Sequence, residues 1–158
     1  MSDSSRVEAA LVLARACGAD GMVGGQVLDT LYGISTEKEL AGMYRLKTGV
    51  MISGAAQLGC VASNMNATMR QQAAEYADQL GLAFQIRDDM LDVLGDAAKL
   101  GKATHVDENK NTFVRLYGIG ACSKMIESET KTAIDALGCF ENSDFLVEMA
   151  RQLALREY

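Results

Sequence analysis

The chain has 158 residues, 49% of them apolar and 23% charged, with a formal net charge of −6. That length suits a single domain with one core, and the acidic balance argues against a general nucleic-acid binder and against docking on an anionic membrane surface. An anionic small-molecule substrate stays open, because a bound cation inverts the local sign.

There is no proline, and alanine, leucine and methionine are abundant while aromatic residues are few. Proline is tolerated in turns and disfavoured inside helices, so its absence fits an all-helical chain. No stretch is long and apolar enough to span a bilayer, and the start Met1-Ser2-Asp3-Ser4-Ser5 has no signal-peptide character. Cys17, Cys60, Cys122 and Cys139 are scattered, without a CxxC pair or a nearby histidine. They read as buried free thiols of a reducing cytoplasm, and a zinc site is not expected.

In chain order, residues 4–17 carry a helical stripe of Val7, Ala10, Leu11 and Ala14 after a start signal at Asp3-Ser4-Ser5. Gly18 either ends that helix or kinks it into the glycine-rich run Gly21-Met22-Val23-Gly24-Gly25-Gln26-Val27-Leu28-Asp29. Glycine costs about 1 kcal/mol in a helix interior, so the run is either a loop or a place where two helices approach closely. Gly33-Ile34-Ser35-Thr36 is a turn, and Ser35 or Thr36 with Glu39 forms a capping signal for a helix from about 37 to 61. The small apolar middle of that helix, Thr48-Gly49-Val50-Met51-Ile52-Ser53-Gly54-Ala55-Ala56, suits close packing by neighbours. After Ser63-Asn64-Met65-Asn66 the longest helix runs from 67 to 94 and stops at Gly95-Asp96. A polar loop follows over 97–109, then a helix over 112–137 stopped by Gly138. Asn142-Ser143-Asp144 caps a last helix reaching Arg156. No strand is expected.

Chemistry concentrates at Phe84-Gln85-Ile86-Arg87-Asp88-Asp89-Met90-Leu91-Asp92, where three carboxylates interrupt an apolar helix. At about 100° per residue, Gln85, Asp88, Asp89 and Asp92 share one face. Two unit charges 4 Å apart repel by around 4 kcal/mol at an effective dielectric near 20, so such a face needs a cation. Hard divalent ions with oxygen ligands fit; magnesium keeps several waters and takes one or two carboxylates plus substrate phosphates. A solvated acidic face is the plain alternative for any short DDxxD pattern. Here the cluster precedes a basic loop with Lys99, Lys102 and Lys110, so metal and lysines could converge on one anion. Lys47-Thr48-Gly49 places a cation beside a hydroxyl inside an apolar helix, where both can reach a phosphate oxygen, although a lone lysine more often snorkels to water. His105 is given no role.

Three segments, in this order, resemble the trans-isoprenyl diphosphate synthases of the farnesyl and geranylgeranyl type. Gly24-Gly25-Gln26-x-x-Asp29 resembles a glycine-rich helical segment of that family, Lys47-Thr48-Gly49 its lysine–threonine pair, and Phe84-Gln85-x-x-Asp88-Asp89-x-x-Asp92 with Gly95-Asp96 and Leu100-Gly101-Lys102 its second aspartate-rich region. The resemblance covers roughly residues 8–118. It implies an antiparallel helical bundle around a deep cavity and a magnesium-dependent, head-to-tail condensation of isopentenyl diphosphate with an allylic diphosphate. Asp88, Asp89 and Asp92 would lie on the metal side, with Asp88 the most direct ligand. Lys47 and Lys102 would hold the allylic diphosphate, Lys110 would be a further diphosphate lysine, and Thr48 and Gln85 would line the reaction centre.

The family's first aspartate-rich region has no counterpart, since no second DDxxD occurs. The chain is therefore expected to be the C-terminal part of one synthase domain, with about five or six helices and an N-terminal half absent, inactive by itself. A non-catalytic helical partner of a synthase and a terpene-cyclase relative are the rival expectations. A cavity wall without its opposite wall exposes apolar surface, so self-association or union with the missing half is also expected.

Overall fold

The structure is a computed structural model that describes residues 1–31, 33–98 and 111–156. These form helices α1 (Asp3–Cys17), α2 (Met22–Leu31) and α3 (Glu37–Tyr44), a π-helical turn (Arg45–Gly49), then α4 (Val50–Ala62), α5 (Ala67–Ala98), α6 (Phe113–Tyr117), α7 (Ile119–Ala136) and α8 (Asp144–Leu155). No strand occurs among the described residues, as the absence of period-two patterning implies.

Side-chain caps mark several of the helix starts. Ser2 accepts from the Ser5 amide and starts α1 one residue before the expected signal. Thr36 and Glu39 form a reciprocal capping box at α3: the Glu39 amide donates to Thr36 Oγ1 at 3.3 Å and the Thr36 amide to Glu39 Oε2 at 3.0 Å. The backbone donors of Ser35 and Thr36 hold the Glu39 carboxyl below its ordinary pKa. α8 starts at Asp144 behind Ser143, although the Ser143 side chain makes no capping bond.

The glycine-rich run takes the helical one of its two readings, as α2. Two boundaries differ from the sequence expectation. α5 continues through Gly95 to Ala98, because a lone glycine lowers helix propensity without removing a donor. The single helix expected over 112–137 is broken at Gly118, whose φ of 77° lies where side chains are strained, so α6 and α7 meet there at a bend.

α5 is the axis of the bundle and packs against α3, α4, α6, α7, α8 and the π turn. One core cluster gathers Leu40, Met43 and Tyr44 with Ala83, Ile86 and Met90 of α5 and Phe113, Cys122 and Ile126 beyond. A second joins Tyr76, Ala77 and Leu80 to Ala133, Ala136, Leu137 and Ala150. α1 lies across α4, with Ala16 buried and Arg70 paired to Glu8. The predicted stripe of α1 faces outward: Val7 and Leu11 are exposed, together with Leu13 and, on α2, Val23, Val27 and Leu31. The four cysteines are free; Cys60 and Cys122 are buried, and Cys139 is exposed.

Candidate functional site

The π turn carries Lys47 and Thr48. One extra residue in the turn bulges the backbone, a feature that recurs at functional sites. α2 lies directly on it: a Cβ added at Gly25 would sit 2.3 Å from the Lys47 amide nitrogen and 2.6 Å from Lys47 Cα. Close approach to the π turn is therefore the reason for glycine at position 25. The same approach brings Asp29 to Lys47, whose Nζ donates to Asp29 Oδ2 at 2.7 Å.

Thr48 Oγ1 donates to Gln85 Oε1 at 2.7 Å, joining the turn to α5 one helical turn before the aspartates. Lys47 and Thr48 also line a cavity of about 670 Å³ whose remaining wall is largely apolar: Met51, Ile52 and Ala56 of α4, Leu80 and Phe84 of α5, Met149 and Leu153 of α8. A polar mouth above an apolar cleft suits an amphiphilic ligand. A second cavity of about 630 Å³, between α5, α7 and α8, is lined by none of the candidate site residues.

The three carboxylates of α5 divide between two environments. Asp89 is only 7% exposed. Its Oδ2 accepts from the Tyr44 hydroxyl at 2.6 Å and from the Phe113 amide at 3.2 Å. Burial raises its pKa, those two hydrogen bonds lower it and the nearby Asp92 charge adds to the rise, for a net value of about 6. Burial and the Asp89 charge in turn drive the Tyr44 phenol far above its ordinary value. Asp88 and Asp92 lie one turn apart; Asp92 is exposed, and the Asp88 side chain is 37% exposed and paired with Arg156.

Among the described residues no three His, Cys, Asp or Glu side chains gather into a group able to hold a metal ion. Two accessible carboxylates with hard oxygen donors nevertheless fit magnesium, which takes one or two of them and fills its remaining positions with water and phosphate oxygens. Of the sequence-predicted residues, the fold brings Thr48 to Gln85 and seats Lys47 beside Thr48 at the cavity. It turns Asp89 inward from Asp88 and Asp92. Lys102 and Lys110, with Leu100, Gly101 and His105, lie outside the described residues.

The family model for polyprenyl synthetases matches residues 1–144. The chain belongs to the polyprenyl synthetase family. It is 34% identical over 135 residues to the farnesyl diphosphate synthase of Haemophilus influenzae, a match covering 80% of this chain and 45% of that protein. Among solved structures it is similar to the apo FPP/GFPP synthase of Zymomonas mobilis, with a TM-score of 0.84, 30% identity, and coverage of 96% of this chain and 52% of the other. It is also similar to the geranyltransferase of Helicobacter pylori complexed with magnesium and isoprenyl diphosphate, at a TM-score of 0.77 and 26% identity, with 98% and 52% covered. The chain thus spans about half the length of these polyprenyl synthetase relatives, which share its all-helical fold.

Sequence reasoning missed Tyr44 and Arg156 and gave Asp29 no role. Asp29 sits within the glycine-rich segment at a helical spacing from Gly25, a signal that could have paired it with a lysine across a close helix contact. Tyr44 is 45 residues from Asp89 and Arg156 is 68 residues from Asp88, and no local pattern links either pair.

Proposed function

We propose that residues 1–158 are the C-terminal part of a single polyprenyl diphosphate synthase domain that joins isopentenyl diphosphate to an allylic diphosphate, head to tail, with magnesium. The observation that carries this reading is the Thr48–Gln85 hydrogen bond at the rim of the apolar cavity. It registers the lysine–threonine turn against the aspartates of α5, giving a polar head site and an apolar tail site on one wall. Lys47 and Thr48 hold and orient the allylic diphosphate, with Lys102 and Lys110 as further diphosphate ligands. Gln85 fixes Thr48, and the side chains of α4, α5 and α8 receive the prenyl tail and exclude water from it.

Asp88 and Asp92 take the metal side directly, while Asp89 contributes by locking the rotation of α5 through Tyr44 and Phe113. When bound, magnesium neutralises the departing diphosphate, an electrostatic contribution that needs no nucleophilic side chain. The allylic carbon–oxygen bond breaks, the isopentenyl double bond supplies the electrons for the new carbon–carbon bond, and a proton leaves the product.

The H. pylori relative, complexed with magnesium and isoprenyl diphosphate, supports this ligand set. The relatives' remaining half would provide the opposite wall, covering the exposed Val7, Leu11, Leu13, Val23, Val27 and Leu31. Association with that half, or with a second copy, is part of the proposal, as is absence of turnover by this chain alone. Calorimetry with geranyl diphosphate tests the half-site. Magnesium-dependent binding that is lost in Asp88→Ala and weakened in Lys47→Ala is expected. Equal binding with and without magnesium, or in Asp88→Ala, refutes the metal role.

A further inference from the structure

Arg156 follows the last turn of α8 and is tied to α5 by both its side chain and its main chain. Its Nη2 donates to Asp88 Oδ1 and, at 3.5 Å, to the Phe84 carbonyl oxygen. The guanidinium carbon lies 3.9 Å from the centroid of the Phe84 ring, a cation–π contact. From the same helix, Arg87 donates to the Arg156 carbonyl oxygen through Nε at 2.9 Å and Nη2 at 2.6 Å. The end of α8 is therefore clamped over the first turn of the aspartate cluster.

The clamp is built to exchange. The Arg156 Nε is buried and has no hydrogen-bond partner, so only one arm of the guanidinium fork engages the carboxylate. The two side chains are 21% and 37% exposed. A one-armed, part-exposed pair gains far less than a bidentate buried one. Its acceptor, Asp88, is the carboxylate assigned above to the metal. A guanidinium on that oxygen and a divalent ion beside it would repel each other strongly at such a separation.

We propose that Arg156 and a divalent cation are alternative partners of Asp88, so that metal binding on α5 releases the end of α8. The proposal rests on the reading of Asp88 as a metal carboxylate. Because Phe84 also lines the apolar cavity, departure of Arg156 frees the outer face of a cavity-wall side chain in the same event. By linkage, the clamp weakens metal binding by the same factor as metal weakens the clamp.

The test is Mn2+ binding followed by electron paramagnetic resonance, with and without inorganic pyrophosphate, in the wild type, Arg156→Gln, Arg151→Gln and Asp88→Asn. Hydrogen exchange of the last turn of α8 is measured alongside, with and without Mg2+. Arg151 is an exposed charge of the same sign on α8 and controls for general electrostatics. Arg156→Gln is expected to bind Mn2+ roughly fivefold more tightly, with Arg151→Gln changing it less than about twofold. Mg2+ is expected to speed exchange at the end of α8 in the wild type, and Asp88→Asn to exchange fast regardless of metal. Unchanged affinity in Arg156→Gln, an equal gain in Arg151→Gln, or metal-independent exchange in the wild type overturns the proposal and leaves the metal site standing. No Mn2+ binding by any form, pyrophosphate included, overturns the metal reading of Asp88 and the exchange with it.

Discussion

Replacing Gly25 by alanine tests how the π turn is held. A Cβ there would meet the Lys47 main chain at 2.3 Å and 2.6 Å, whereas carbon contacts are favourable only from about 3.5 Å. The obstructing atoms are backbone, so no rotamer change relieves them, and α2 must move away by roughly 1 Å. Overpacking of this kind costs about 1–3 kcal/mol or more, set against a gain of about 1 kcal/mol for alanine over glycine in a helix. Gly59 supplies the control: it lies in α4, is exposed, and an added Cβ would meet nothing within 4 Å. Urea denaturation followed by circular dichroism should show Gly59→Ala more stable than the wild type by about 0.5–1 kcal/mol. Gly25→Ala should be less stable by about 2 kcal/mol. The shift of α2 should also stretch the Lys47–Asp29 ion pair and weaken diphosphate binding. If Gly25→Ala gains stability as Gly59→Ala does, the close approach is wrong, and so is the reason given for glycine at position 25.

The remaining predictions concern Asp89 and its partner. A carboxyl raised from 3.8 to about 6 corresponds to about 3 kcal/mol of stability that is fully present below pH ~4, where the group is protonated folded and unfolded, and is lost as pH rises through about 6. The groups acting on it are the Tyr44 hydroxyl, the Phe113 amide and the Asp92 charge. Stability of Asp89→Asn should lack this fall between pH 4 and 7, and unfolding curves that stay parallel to the wild type across that range would contradict the assignment. Tyr44→Phe removes one of the two donors to a buried carboxylate and should cost about 1–3 kcal/mol at pH 7.5. The cost should be smaller at pH 5, where Asp89 is largely protonated; a loss independent of pH would mean the hydroxyl acts by packing alone.

Much of the helical frame was legible before any coordinates. Thr36 and Glu39 specify the start of α3 within four residues of chain, and the apolar run after Leu80 specifies a buried α5. The lysine–threonine pair and the DDxxD pattern point to a diphosphate and a divalent ion because their charges need those partners. Helix ends were less legible, because a glycine is permissive without being decisive. Gly95 lies inside α5, while Gly118 breaks a helix that looked continuous, and only its φ of 77° separates the two cases.

What the sequence determined by itself is what depends on neighbours in the chain: helical class, caps, the charge pattern of α5 and the family resemblance it carries. What the tertiary structure decided is which carboxylate meets which partner. A 3.6-residue period puts Asp88, Asp89 and Asp92 on one face, yet α5 packs on its neighbours with Asp89 turned toward Tyr44 and Phe113 while Asp88 meets Arg156. The face that a helix turns to its neighbours sets those contacts. It is fixed by packing between residues 24 to 68 positions apart, which no local pattern encodes.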